Sequence, residues 1–141
     1  MTVTLLQVRT GLQANLATVT PKLAVALYWP DQVVPPAALI KLPSAVYERS
    51  FGGGVAGGTL TAEIQLVVSL QGGLVNAQAL MDQYLANSGT ASIRAAIAAD
   101  RTLGGVVAYS FIRGWRDYDT VEINQQAFLG AIVDVEVEHE A

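Results

Sequence analysis

Apolar residues recur along the opening stretch at Leu5, Val8, Leu12, Leu16 and Val19. Steps of three and four put them on one side of a helix, so the spacing predicts an amphipathic first element. Thr2 or Thr4 can cap it, Gly11 weakens it by about 1 kcal/mol relative to alanine, and Pro21 stops it. Leu23 to Trp29 then reads as a buried strand. Pro30, Pro35, Pro36 and Pro43 leave room only for short or edge segments, around Ala38 to Leu42 and Val46 to Phe51.

From Leu60 the pattern changes period. Leu60, Ala62, Ile64, Leu66, Val68 and Leu70 alternate with more polar positions, which predicts a long half-buried strand. Gly72-Gly73 ends it, and Asn76 can cap a second helix in which Leu80 and Tyr84, and Met81 and Leu85, stand one turn apart. Asn87-Ser88-Gly89 closes that helix. Thr90 or Ser92 begins a third through Ile93, Ala96 and Ile97, with Gly104-Gly105 as its stop. Val107, Tyr109 and Phe111 alternate as a strand. Asp117-Tyr118-Asp119 has the composition of a turn, and extended chain resumes at Val121. In the last segment Leu129, Ala131, Val133, Val135 and Val137 face one way while Asp134, Glu136 and Glu138 face the other.

The predicted order is α-β-β-β-α-α-β-β. It implies an α+β fold, with an antiparallel or mixed sheet and the N-terminal helix and two central helices packed on one face. At 141 residues the chain is expected to be one domain, 1–141. Between the second and third predicted strands, Gly52, Gly53, Gly54, Gly57 and Gly58 put five glycines into seven positions, the composition of a flexible loop over 52–58.

Composition adds a constraint on the surface. Apolar residues make up 52% and charged residues 14%, and such a charge-poor chain leaves apolar area outside, which points to self-association. Net charge is −4, which argues against gripping nucleic acid through its phosphates. The distribution is uneven: from Asp117 onward there are seven acids and no Lys or Arg, while the preceding 116 residues carry eight bases and five acids. A subunit of that polarity suits head-to-tail contacts, in which one copy's acidic side meets the next copy's basic side.

No catalytic constellation emerges. Cysteine is absent, so thiolate chemistry, disulfides and sulfur metal sites are excluded. The only histidine, His139, stands among Glu136, Glu138 and Glu140, where neighbouring residues of a strand point to opposite faces. Gly52, Gly54 and Gly57 satisfy G-x-G-x-x-G, but an alternating strand follows them where a dinucleotide site needs a helix. No cofactor, metal or enzymatic activity is expected. The N-terminus lacks a basic segment ahead of an apolar one, and no apolar run approaches the roughly 20 residues of a membrane span. Arg113-Gly114-Trp115-Arg116-Asp117-Tyr118 stands out instead, because Arg, Trp and Tyr dominate interface hot spots.

The runs Ser88-Gly89-Thr90-Ala91-Ser92-Ile93-Arg94-Ala95-Ala96-Ile97, Asp100-Arg101-Thr102-Leu103-Gly104-Gly105 and Gly114-Trp115-Arg116-Asp117-Tyr118, with the closing apolar-acidic strand, resemble tail terminator (tail completion) proteins of long-tailed, non-contractile bacteriophages. The likeness is firmest over Gly72 to Glu138. It implies a structural protein of the virion neck, a homohexameric ring that caps the tail tube, ends polymerisation and joins the tail to the head connector, with DNA passing through its lumen. Its partners would be further copies of itself, the major tail tube protein and a head completion protein. A tube subunit or other connector protein is the nearest alternative, and a small nucleotide-binding domain or enzyme a more distant one. Candidate contact residues on this reading are Tyr47, Arg49 and Phe51 with Gly52, Gly53, Gly54, Gly57 and Gly58 for the tube, and Arg113, Trp115, Arg116, Asp117 and Tyr118 between subunits.

Overall fold

The computed structural model describes residues 4–47 and 58–139. Helix α1 spans Leu5–Leu16. Thr4 caps it: the Thr4 hydroxyl accepts from the Gln7 N–H at 3.1 Å and the Gln7 side chain accepts from the Thr4 N–H at 2.8 Å, a reciprocal pair that satisfies two donors of the first turn. The strands are β1 (Ala24–Ala26), β2 (Ala37–Tyr47), β3 (Gly58–Val68), β4 (Tyr109–Ile123) and β5 (Gln126–His139), with α2 (Leu74–Tyr84) and α3 (Ile93–Ala99) between β3 and β4. This is the α+β order that the periodicity predicts.

The five strands form one mixed sheet in the order β1-β2-β3-β5-β4. Only β1 and β2 run parallel. Strand β5 inserts between β3 and β4, so the sheet's two edges are β1 and β4. Alternation sorts the residues onto two faces. Leu60, Ala62, Ile64, Leu66 and Val68 of β3 and Leu129, Ala131, Val133, Val135 and Val137 of β5 share a core with residues of all three helices. The helices therefore cover one face, and each fully buried Leu or Ile there contributes about 1.5–3 kcal/mol. Two polar ties position them: the Asn15 amide donates to the Asp100 carbonyl (2.8 Å), and the Tyr84 hydroxyl donates to the Pro21 carbonyl (2.9 Å).

The opposite face carries a small second core of Val33, Ala37, Leu39, Val67, Ile123 and Phe128 at one end. Beyond it the face is polar, with Lys41, Glu63, Asp134, Glu136 and Arg116 on adjacent strands.

Several local expectations are corrected. The segment Leu23 to Trp29 is not a buried strand: β1 holds three residues at the sheet edge, and Tyr28 and Trp29 are 58% and 45% exposed. The two short segments around Pro43 are one strand, β2, because the register shifts between Lys41 and Ser44 and spares proline the ladder bond it cannot make. Helix α2 starts two residues ahead of Asn76, after Gly73 at φ 94°, and the Asn76 amide instead donates to the Gly72 carbonyl at 2.7 Å. Helix α3 ends at Ala99 with Asp100 as its C-cap, not at the glycines. The Asp100 carboxylate accepts from the Thr102 hydroxyl (2.9 Å) and the Gly104 N–H (2.8 Å), folding the chain back as its own turn.

Asp117-Tyr118-Asp119 is no turn between strands. Strand β4 runs unbroken past it, with Asp117 at φ 55° and one extra residue between the pairs Arg116↔Ile132 and Asp119↔Gly130, which is a β-bulge. The reversal comes later, at Asn124 (φ 51°) and Gln125 (φ 68°), a two-residue hairpin loop with positive φ at both positions.

Gly11 has a role that helix propensity conceals. A Cβ there would stand 2.6 Å from the Leu103 Cβ and 3.1 Å from the Leu103 carbonyl oxygen. Gly11→Ala gains about 1 kcal/mol of helix propensity but overpacks the contact by about 1–3 kcal/mol. A net loss of stability is expected in urea titration; a variant more stable than wild type would show that α1 and the Leu103 turn separate freely.

Candidate interaction surfaces

Edge strand β4 brings the residues Arg113 to Tyr118 together, and its two bulges decide where each side chain goes. The extra residue between Ile112↔Val135 and Gly114↔Asp134 is Arg113, and the second bulge lies at Asp117 and Tyr118. Between them Trp115 pairs with Val133 on the helix-covered face, while Arg116 pairs with Ile132 on the polar face.

Arg116 is committed to its own sheet. Its guanidinium lies 3.0 Å from Asp134 of β5, 2.7 Å from Glu63 of β3 and 2.7 Å from Asp117. A planar fork with five donors can serve three carboxylates at once. The hydrogen bond to Asp134 foremost, with the surrounding negative charge, holds the Arg116 pKa above its ordinary value. Because the group is solvated, each pair is a modest contributor to stability. The arrangement fixes the bulge and spans three strands, leaving the guanidinium little capacity to grip a partner.

Trp115 and Arg113 are displayed. Trp115 is 53% exposed and meets Tyr118 edge-on, with ring centroids 5.9 Å apart at 62°. Arg113 is 66% exposed, its nearest carboxylate being Glu136 at 3.5 Å. Tyr118 is turned inward: its hydroxyl donates to Asp82 of α2 at 2.8 Å, with the Gln78 carbonyl also within 3.1 Å. Burial first, then the hydrogen bond and charge of Asp82, push the Tyr118 pKa up to about 12.

Beside Trp115 the surface opens into a cavity of about 260 Å³ whose walls include Ile93, Arg94, Ile112 and Arg113. A second cavity of about 240 Å³ continues along β4, shares Arg94 and Ile112, and adds Arg101, Tyr109 and Phe111. Arg101 donates to the Tyr109 hydroxyl at 2.9 Å and lies 5.2 Å from that ring's centroid. Among the described residues, the one hydrogen bond of the Arg94 guanidinium goes to the Asn87 side-chain oxygen, at 3.4 Å. The result is an arginine-lined groove between α3 and β4.

A second displayed patch lies at the other end of the sheet order and escaped sequence reasoning. The Arg9 guanidinium stands 4.5 Å from the Tyr28 ring centroid, and the Lys41 ammonium 4.3 Å from that of Trp29. Arg9 also donates to the carbonyls of Leu27 and Ile40. The signal was present in the adjacent aromatics Tyr28 and Trp29 before Pro30, but an apolar run of strand length masked it.

Of the residues expected to meet a tube, Arg49, Phe51, Gly52, Gly53, Gly54 and Gly57 lie outside the described residues. Tyr47 and Gly58 are paired across β2 and β3. Among the described residues no three His, Asp or Glu side chains converge on a common point suited to a metal ion.

The raised Tyr118 pKa carries a stability consequence. Because the folded state prefers the neutral phenol, its contribution is complete below the ordinary tyrosine pKa of about 10 and is lost as pH rises to about 12. Urea titrations between pH 9 and about 12 should show wild type losing stability more steeply than Tyr118→Phe. Parallel slopes would mean that Tyr118 does not hold its proton through Asp82 and burial.

The chain matches no protein-family model and no curated protein sequence.

Proposed function

We propose that this chain is a structural virion protein, a tail terminator of a long-tailed, non-contractile phage. Copies of it form a ring, hexameric on this reading, that caps the tail tube, ends its polymerisation and joins it to the head connector. The likeness over Gly72 to Glu138 supports this, and so does one observation above the others. The sheet ends in two different edges, and each displays aromatic and cationic side chains: Tyr28 and Trp29 near β1, Tyr109 and Trp115 on β4. Two unlike adhesive flanks on one subunit suit a head-to-tail contact that closes into a ring. Arg and aromatic residues are also the types that anchor such contacts.

Charge is consistent with a DNA conduit. The polar sheet face carries Glu63, Asp117, Asp134 and Glu136 against Lys41 and Arg116, and a face on which acids outnumber bases offers DNA few contacts that release counterions. Nucleic acid would pass such a wall without binding it.

The glycine-rich segment is the proposed tube contact. Tyr47 and Gly58 already pair across the β2–β3 hairpin, so removing residues 52–57 leaves a connection of four residues, within the usual hairpin range of about 2–5. The deletion is expected to fold with unchanged far-UV circular dichroism while tails assembled with it lose length control in electron micrographs. Tails of normal length would remove the loop from the mechanism. Long cylinders formed by the wild-type chain alone would identify a tube subunit in place of a terminator.

A further inference from the structure

We infer that the groove between α3 and β4 is the receiving half of a contact between copies, and that it takes the acidic end of the β4–β5 hairpin of the next copy. The inference deepens the proposed ring by naming the two surfaces that meet.

Three arginines border the groove, and two of them lack a counter-charge. Arg94 and Arg101 have no carboxylate within 4.0 Å among the described residues, and Arg113 reaches Glu136 only at 3.5 Å while remaining 66% exposed. Exposed Trp115 and part-buried Ile112 give the groove an apolar floor beside this charge. Such a site suits an acidic segment that also offers aliphatic surface, because the charges set orientation and the apolar contact holds.

The same strand supplies the complement. Asp119 and Glu122 lie toward the far end of β4, both exposed, with no cation within 4.0 Å among the described residues. Glu122 stands nine positions beyond Arg113 on β4, roughly 30 Å at about 3.3 Å per residue. The cationic and acidic ends of one β4 therefore cannot neutralise each other, whereas those of successive copies can. Direct strand-to-strand pairing is the weaker alternative for this edge, since two bulges interrupt its ladder. Side-chain docking in the groove has no such obstacle.

The test is a reciprocal charge exchange in the full-length chain. Arg94→Glu with Arg113→Glu reverses the groove, and Asp119→Lys with Glu122→Lys reverses the hairpin end. Each double variant should keep the wild-type circular dichroism spectrum, because all four side chains are exposed, and should self-associate at least about tenfold more weakly by light scattering. An equimolar mixture should recover the wild-type oligomer mass, because each reversed surface then finds a reversed partner. Loss of folding does not produce such recovery. Unchanged mass in both variants, no recovery in the mixture, or a wild type that stays single at high concentration would each overturn the contact. Tail-length assays separate this from the proposed function: a recovered oligomer with no effect on tails keeps the groove contact and removes the terminator role.

Discussion

The pairing of β3 with β5 is the constraint on which the rest of the molecule depends. Eleven successive residue pairs join them without a break, from Gly58↔His139 to Val68↔Leu129. Because side chains alternate, a slip of one residue would move Ile64, Leu66, Val133 and Val135 off the helix-covered core together. Gly130 helps to lock that register. A Cβ there would meet Val121 at 2.6 Å and the Gln65 amide at 2.8 Å, so only glycine lets Gln65 lie across the sheet and donate to the carbonyls of Leu66 and Ala131. A buried amide satisfied in this way opposes any other alignment, which would strand its donors.

The irregularities of β4 follow from that fixed neighbour. β5 is regular against β3, so the irregularity is confined to the outer strand, where two extra residues appear at Arg113 and at Asp117-Tyr118. Each bulge redirects a side chain. The first leaves Arg113 exposed beside Glu136, and the second sends Tyr118 to Asp82 on α2 while Arg116 gathers Glu63, Asp117 and Asp134 on the opposite face. Residues adjacent in sequence thus acquire different roles, displayed, ion-paired or turned inward, from the local count of residues on the edge strand.

The element order and the core were readable from periodicity because long alternating or helical patterns mark burial directly. Val8 to Leu16 and Leu129 to Val137 are the clearest cases, whereas Leu5, which shares the helical spacing, is 55% exposed. What escaped reading were features with no periodic trace. Asp117 signals a turn by composition, yet its left-handed backbone is equally suited to a bulge, and only the pairing partner decides between them. Tyr28 and Trp29 prolong an apolar run, and nothing local says that β1 stops after three residues. The Arg113 to Tyr118 segment was legible as a candidate surface, but the division of labour within it was not. That division depends on Glu63 and Asp82, which are distant in sequence.

The central strand pair also dictates a history for each nascent chain. Its nearest partners, Val68 and Leu129, are about 60 residues apart, with α2, α3 and β4 translated between them. While those segments emerge from the ribosome, the inner edge of β3 has no strand beside it, and its apolar row is the kind of surface that recruits stray partners. Pairing across so long a loop is also slow to nucleate. Glu63, Gln65 and the threonines at 59 and 61 interrupt that row at alternate positions, and so act as gatekeepers during the wait.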